Sequence, residues 1–333
     1  MKAITIDRYG GPEVMQLRDI AVPEPGPGEA LVKVAFAGIN FMDIHTRQGK
    51  YRASRSYPVR LPCTLGMEGA GEVVGTGPGT TRVRTGDRVA WCISWGSYAG
   101  HACVPESRLA VLPPGTGFDI AAASVFQGST AHYLVHDVAR LEAGMTCLVH
   151  AAAGSIGQWL VQMATRRGAT VYATASSQAR RTLALGLGAT AVFDYGEGSF
   201  ADAVRAATGG RGVDVVFDSL GSSTLRASFR SARVRGLVVN YGNVAGSVTD
   251  LDPIELGEAG SLFLTRPRLT DHLADAATVQ RRADDLFSAI AAGHLKVPID
   301  PRRYTLDDVA IAHACLEERR QVGKALLVPE SAS

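Results

Sequence analysis

The sequence predicts an α/β chain in which a doubly wound parallel sheet is inserted into a β-rich domain. Three observations carry this. Residues 148–157, LVHAAAGSIG, pass from strand character through a run of small residues into a helical pattern. From about residue 119 to residue 241, strand and helix patterns alternate at the spacing of parallel βαβ units. Residues 1–115 instead read as short strands broken by Gly and Pro clusters.

In order along the chain, apolar and β-branched runs predict strands at 3–6, 30–38, 69–74, 88–90 and 110–112. The clusters at 23–28, 75–79 and 113–117 interrupt them. Residues 120–126 and 130–137 read as two helices. A strand at 148–151, a helix at 158–164 and a strand at 169–173 make a unit of βαβ size. Helices at 178–187, 199–208 and 223–231 then alternate with strands at 191–193, 213–218 and 236–241. An amphipathic helix at 276–292, a Pro-bounded strand at 295–297, a helix at 306–319 and a strand at 324–328 close the chain. The tail is expected to rejoin the first domain, so that 1–121 and 263–333 form one domain and 122–262 the other.

The turn after residue 151 reads Ala152-x-Gly154-x-x-Gly157, a dinucleotide fingerprint with Ala in place of the first Gly. Gly154 allows a pyrophosphate to approach the backbone, and Gly157 allows the helix to pack on the strand. The helix start offers N–H groups and a positive dipole end to phosphates. An NAD site carries Asp or Glu about twenty residues past the glycines. Here Thr174, Ala175, Ser176, Ser177, Gln178, Ala179, Arg180 and Arg181 fill that place. Hydroxyls and guanidiniums without a carboxylate favour the 2′-phosphate of NADPH. The competing reading makes Arg180 and Arg181 a solvated helix face.

The chain has 333 residues, 46% of them hydrophobic, 37 Gly and a net charge of +2, which suits a globular protein with neither a nucleic-acid nor a membrane partner. Five Lys stand against 29 Arg, and none lies between Lys50 and Lys296, which excludes Schiff-base lysine chemistry from the middle of the chain. Cys63, Cys92, Cys103, Cys147 and Cys315 form no C-x-x-C pair and are odd in number, as in a reduced cytoplasmic protein. The start has no apolar signal core, and no apolar run nears 18 residues.

Taken with Gly10-Gly-Pro-Glu-Val14, Gly38-Ile-Asn-Phe-Met-Asp43, Gly49-Lys-Tyr51, Gly66-Met-Glu-Gly-Ala-Gly71, Gly86-Asp-Arg-Val89, His150-Ala-Ala-Ala-Gly154, Phe217-Asp-Ser-Leu-Gly221, Tyr241-Gly-Asn243 and Thr265-Arg-Pro267, the chain resembles the zinc-free, ζ-crystallin-like quinone oxidoreductases of the medium-chain dehydrogenase/reductase superfamily. The resemblance implies a GroES-like catalytic domain and a Rossmann domain with NADPH between them. It also implies a homodimer, with residues 236–241 and 261–264 as the candidate edge. Zinc relatives place a Cys where this chain has Asn40 and a His where it has Met67, and neither replacement is a zinc ligand. Cys92 and Cys103 stand alone where a structural zinc needs four Cys. His132 and His136 lie four apart without the Glu of an H-E-x-x-H motif.

By the same resemblance, Asn40 and Tyr51 are the catalytic candidates. Asn40 reads as orienting substrate or cofactor, or as capping the following helix. Tyr51 reads as an acid or substrate-orienting donor, or as a packing residue. The implied cofactor contacts are Phe41, Met42, Asp43, His45, Thr130, Tyr133, Gly154, Ser155, Ile156, Ser176, Ser177, Arg180, Tyr195, Ser219, Tyr241, Gly242, Asn243, Leu264, Thr265, Arg266 and Arg319. Residues 52–62 form a longer loop than the resemblance implies. Its Arg52, Arg55 and Arg60 read as partners of an anionic substrate or as solvated charges. The resemblance implies NADPH-dependent hydride transfer to a quinone or enone. The alternatives are an enoyl-thioester or tailoring reductase, or a non-catalytic NADPH-binding protein of crystallin or RNA-binding type.

Overall fold

A computed structural model describes residues 1–195, 199–318, 320–321 and 323–329. The chain divides into two compact units, Met1–Ser129 with Leu273–Ser333, and Thr130–His272.

The first unit is β-rich. A small antiparallel sheet has the order β2 (Gln16–Asp19), β1 (Lys2–Ile6), β4 (Cys63–Thr64). The larger sheet is built on β3 (Glu29–Gly38), whose alternating buried and accessible residues give it a core face. Strand β5 (Glu68–Thr76) lies along one edge of β3, followed outward by β6 (Arg88–Cys92) and β8 (Leu109–Val111). The other edge of β3 is shared. β7 (His101–Pro105) pairs its first half, and β16 (Lys324–Val328) pairs its end, with β15 (Ile299–Thr305) parallel to β16. Ile4, Ile6, Val32, Val34, Val73, Trp91, Tyr98 and Leu327 fill the core beneath. Helix α1 (Phe41–Arg47) leaves the end of β3, and α2 (Phe118–Tyr133) runs on into the second unit. Helices α8 (Ala276–Ala291) and α9 (Val309–Glu317) complete the first unit.

The second unit is a six-stranded sheet, parallel throughout, with the order β11 (Ala191–Phe193), β10 (Thr170–Thr174), β9 (Thr146–Val149), β12 (Val213–Asp218), β13 (Ala232–Asn240), β14 (Phe263–Thr265). The order reverses between β9 and β12, the crevice at which such sheets bind dinucleotides. Its helices are α3 (Ser155–Arg166), α4 (Gln178–Gly186), α5 (Phe200–Ala207), α6 (Leu225–Ser231) and α7 (Ile254–Glu258). Every residue of β12 is buried, as a strand covered on both faces requires.

Four expectations need correction. The two helices expected at 120–126 and 130–137 are one helix, α2, ending in a π-turn over Leu134–Val138. Gly128, inside this helix, is a packing position, because a Cβ there would stand 2.7 Å from the Leu286 side chain of α8. The strand expected at 295–297 lies further on, as β15, where residues pair with β16. The segment 236–241 is no edge, since β13 is flanked by β12 and β14; β14 is the outer strand. Because β14 pairs with β13, the second unit runs past residue 262, to His272. Among the described residues, no helix is long and apolar enough to cross a membrane.

Candidate functional site

The candidate nucleotide-binding surface stands at the C-terminal ends of β9, β10, β12 and β13. After β9 the chain turns through Ala151, whose φ is +50°, into Gly154, which starts α3 with no side-chain cap. The first-turn N–H groups, including those of Ser155 and Ile156, are therefore left to an anion. A Cβ on Gly157 would fall 2.3 Å from the Ala151 carbonyl oxygen, so only glycine lets α3 lie this close to β9. Beneath the turn, a buried polar chain ties three strands together. His150 Nδ1 meets Thr174 Oγ1 and His150 Nε2 meets Ser228 Oγ, both at 2.9 Å, and Ser228 donates to Asp218. Tyr195 joins this chain, its phenol oxygen accepting from the Ala151 N–H at 2.7 Å. Burial holds His150 down to about 4, keeping it a neutral connector against the pull of Asp218.

At the end of β10 the two arginines separate. Arg181 is half-buried and paired with Asp194. Arg180 is exposed and donates to Ser176 Oγ at 3.1 Å, while the Ser177 hydroxyl caps α4 by accepting from the Arg180 N–H. Ser176, Ser177 and Arg180 thus converge at the place where an NAD site carries its acid, and no carboxylate stands on β10 there.

Ser219 follows β12, with its carbonyl and Cα within 2.9 Å of any Cβ that Gly242 might carry. That close approach brings residues 241–243 alongside residue 219. Tyr241 is half-buried. Asn243 is exposed, donating to Ser247. Leu264 and Thr265 end β14, and Arg266 reaches the Asn240 carbonyl at 2.9 Å. Thr130 and Tyr133 are buried, and the Tyr133 ring stacks on His272 at 4.3 Å. Arg319 lies outside the described residues.

In the first unit the candidate site is the β3–α1 junction. Asn40 is the buried N-cap residue of α1, where Asp43 bonds back to its N–H. Its amide donates to Glu68 Oε2 at 2.9 Å and to the Gly38 carbonyl at 3.1 Å, and its Oδ1 accepts from Lys324 Nζ at 2.6 Å. Both amide N–H groups are thereby engaged, so Asn40 has only acceptor capacity left. Asp43, expected among the cofactor contacts, is fully buried and serves the backbone instead. It accepts from the Asn40 N–H at 2.8 Å, the Met67 N–H at 3.1 Å and the Tyr98 hydroxyl at 3.0 Å. Burial pushes its carboxyl up to about 7, against the lowering pull of the Asn40 and Tyr98 donors. Phe41, Met42 and His45 are only partly buried. His45 Nδ1 lies 3.3 Å from the Tyr51 hydroxyl, and the Tyr51 ring meets that of Tyr57 at 5.3 Å. Burial, with Lys50 nearby, lowers His45 to about 4, so this imidazole is neutral at pH 7. Arg52, Arg55 and Arg60 are all exposed on the following loop.

A zinc ion does not fit this junction. Met67 is fully buried, the Asn40 amide is engaged, and the Lys324 ammonium already sits on the Glu68 carboxylate at 2.6 Å. Among the described residues, no group of three His, Cys, Asp or Glu side chains is placed to hold a metal, and the adjacent His132 and His136 belong to no such group. Glu68 and Lys324 were missed in the sequence. Their signal was faint: a lone Glu in a Gly-rich strand and a lone Lys opening the apolar run 324–328.

Residues 26–143 match the alcohol dehydrogenase GroES-like domain, and residues 155–271 match the zinc-binding dehydrogenase family. A quinone oxidoreductase from Pseudomonas aeruginosa is 38% identical over 98% of this chain and 99% of its own. A 2-haloacrylate reductase from Burkholderia is 33% identical over 99% of both chains. The crystal structure of Escherichia coli quinone oxidoreductase complexed with NADPH superposes with a TM-score of 0.93 at 35% identity, covering 99% of this chain and 100% of that one. With two units of this fold and such likeness along nearly its whole length, the chain belongs to the quinone oxidoreductase family.

Proposed function

We propose that this protein is an NADPH-dependent reductase of quinones or other conjugated carbonyl acceptors that works without a metal. The end of β10 carries the reading: Ser176, Ser177 and Arg180 form a phosphate-suited corner. The α3 N-terminus at Gly154, Ser155 and Ile156 would take the pyrophosphate, and Tyr195 would flank the adenosine. Ser219, Tyr241, Gly242, Asn243, Leu264, Thr265 and Arg266 would border the nicotinamide side. Bound NADPH supplies the hydride, and the reduced acceptor takes a proton from solvent or from Tyr51. The neutral His45 can hold the Tyr51 phenol as donor or acceptor, according to its tautomer. In the tautomer that carries the proton on Nδ1, it donates to the phenol oxygen.

One observation favours conjugated acids as a second acceptor class. The 2-haloacrylate reductase relative acts, by its name, on a conjugated carboxylate. The exposed Arg52, Arg55 and Arg60 offer three cations on the loop that follows Tyr51. A panel of quinones, enones, conjugated acids and enoyl thioesters, each with NADPH, tests the proposal. Turnover of at least one quinone or enone by protein free of stoichiometric zinc is expected. Tight NADPH binding with no reduction of any of them would instead make this a binding protein.

A further inference from the structure

The β3–α1 junction holds a buried ion pair, Lys324 with Glu68 at 2.6 Å, both side chains at most 1% exposed. Such a pair is a poor stabiliser, because taking both charges out of water costs about as much as their attraction returns, and apolar replacements of similar volume do as well. The structure nonetheless makes room for it. A Cβ on Gly38 would lie 2.4 Å from Glu68 Oε2 and 2.8 Å from Lys324 Cε. The second Glu68 oxygen is bound by the Phe126 N–H at 2.7 Å, so the carboxylate itself is fixed.

We infer that Lys324 and Glu68 are positioning residues that lock the orientation of the Asn40 side-chain amide. This rests on the reading of Asn40 as part of the reaction site. An ammonium can only donate and a carboxylate can only accept. Asn40 Oδ1 therefore faces Lys324, and its Nδ2 faces Glu68 and the Gly38 carbonyl. The flipped amide would set its NH2 against the ammonium and its oxygen against the carboxylate. The main chain of Asn40 is held separately, through Asp43, so the pair acts on the side chain alone. What it fixes is the polarity of the amide: its spare hydrogen-bonding capacity is that of an acceptor oxygen, not a donor.

The test neutralises both charges at nearly constant volume, in E68Q/K324M, and compares it with Asn40→Ala and with the triple variant. Melting curves and NADPH titrations accompany quinone turnover. The expected double variant keeps NADPH affinity within about threefold and loses at least tenfold in kcat, with KM little changed. Asn40→Ala should lose a similar factor, and the triple variant should be no worse than Asn40→Ala alone. A folded double variant with the kcat of the parent would overturn the inference, as would a triple variant in which the two losses multiply. Full activity in Asn40→Ala would overturn the reading of Asn40 itself, a separate failure. Wild-type protein gives a check that needs no variant. Both Asn40 Nδ2 protons should exchange with solvent at least a thousandfold more slowly by NMR than those of the exposed Asn243, and equal rates would rule out the lock.

Discussion

Two adjacent arginines, alike in sequence, have different work in the fold. Arg181 is committed to Asp194, whereas Arg180 lies against Ser176. Replacing Arg180 with Ala should weaken NADPH by the value of a charge-assisted hydrogen bond, about 1.5–3 kcal/mol, or roughly ten- to a hundredfold. NADH, which lacks the 2′-phosphate, should be nearly unaffected. Fluorescence titration of both cofactors decides this, and an equal loss for both would remove Arg180 from the phosphate corner. Tyr51 poses a different question. If its hydroxyl supplies the proton, Tyr51→Phe lowers turnover roughly 10²- to 10⁴-fold. We expect that loss with enones and a small one with quinones, whose reduced oxygen can take a proton from water; stopped-flow rates with both acceptors compare them. Much of the site was legible at this scale, because the glycine turn and the missing acid after β10 are local signals. Asn40 was only half legible. Its alternatives were a cap or a ligand contact, and its partners Glu68 and Lys324 lie 28 and 284 residues away in the chain. No local pattern shows a contact of that kind.

The same division between local and distant information governs the elements. The strands of the nucleotide sheet were readable because each carries a short apolar stretch, such as Val215–Phe217 of β12, and amphipathic helices lie between them. Strands β2, β4 and β7 were missed; β4 has two residues, and β2 has no buried residue to mark it. Residues 127–129 were left between two helices, although Gly128 lies within α2 and packs against Leu286. Of the two candidate edges, residues 261–264 overlap the outer strand β14, whereas residues 236–241 lie inside the sheet on β13. A strand of three residues, β14, gives almost no pattern, yet it covers β13 and presents Phe263 at 59% exposure. An outer strand with an exposed aromatic is an association surface. We propose that two copies pair through β14, as the family resemblance implies. Light scattering should then give twice the 35.1 kDa chain mass, and Phe263→Asp should shift it to the monomer. A wild-type particle of one chain mass at micromolar concentration would remove the homodimer.

For the molecule as a whole, buried titratable groups set the pH range of stability. His150 and His313 are fully buried. Burial lowers His150 to about 4, and burial with the Arg47 guanidinium beside it lowers His313 to about 3. In the unfolded chain both regain an ordinary value near 6.5. Below that pH the unfolded chain binds protons that the folded one refuses, so stability falls as pH drops from 6.5 toward 4. Asp43 opposes this. Its carboxyl, raised to about 7, takes its proton in the folded state across the range from 7 to 3.8, which favours folding as pH falls. His45, also lowered to about 4, adds to the loss, so one raised carboxyl offsets only one of three lowered imidazoles and stability falls overall between pH 6 and 4.5. His313 is the group to change. It faces Tyr98 at 3.2 Å and Arg47 at 3.5 Å, and a Gln can make both contacts without titrating. His313→Gln should be somewhat less stable than wild type at pH 7.5, yet lose less further stability than wild type on going to pH 5. Urea unfolding at pH 7.5, 6 and 5 measures both slopes. Parallel curves for the two proteins would mean that His313 already carries its proton in the folded state, and the Arg47–His313–Tyr98–Asp43 chain would then have to be redrawn around a buried imidazolium.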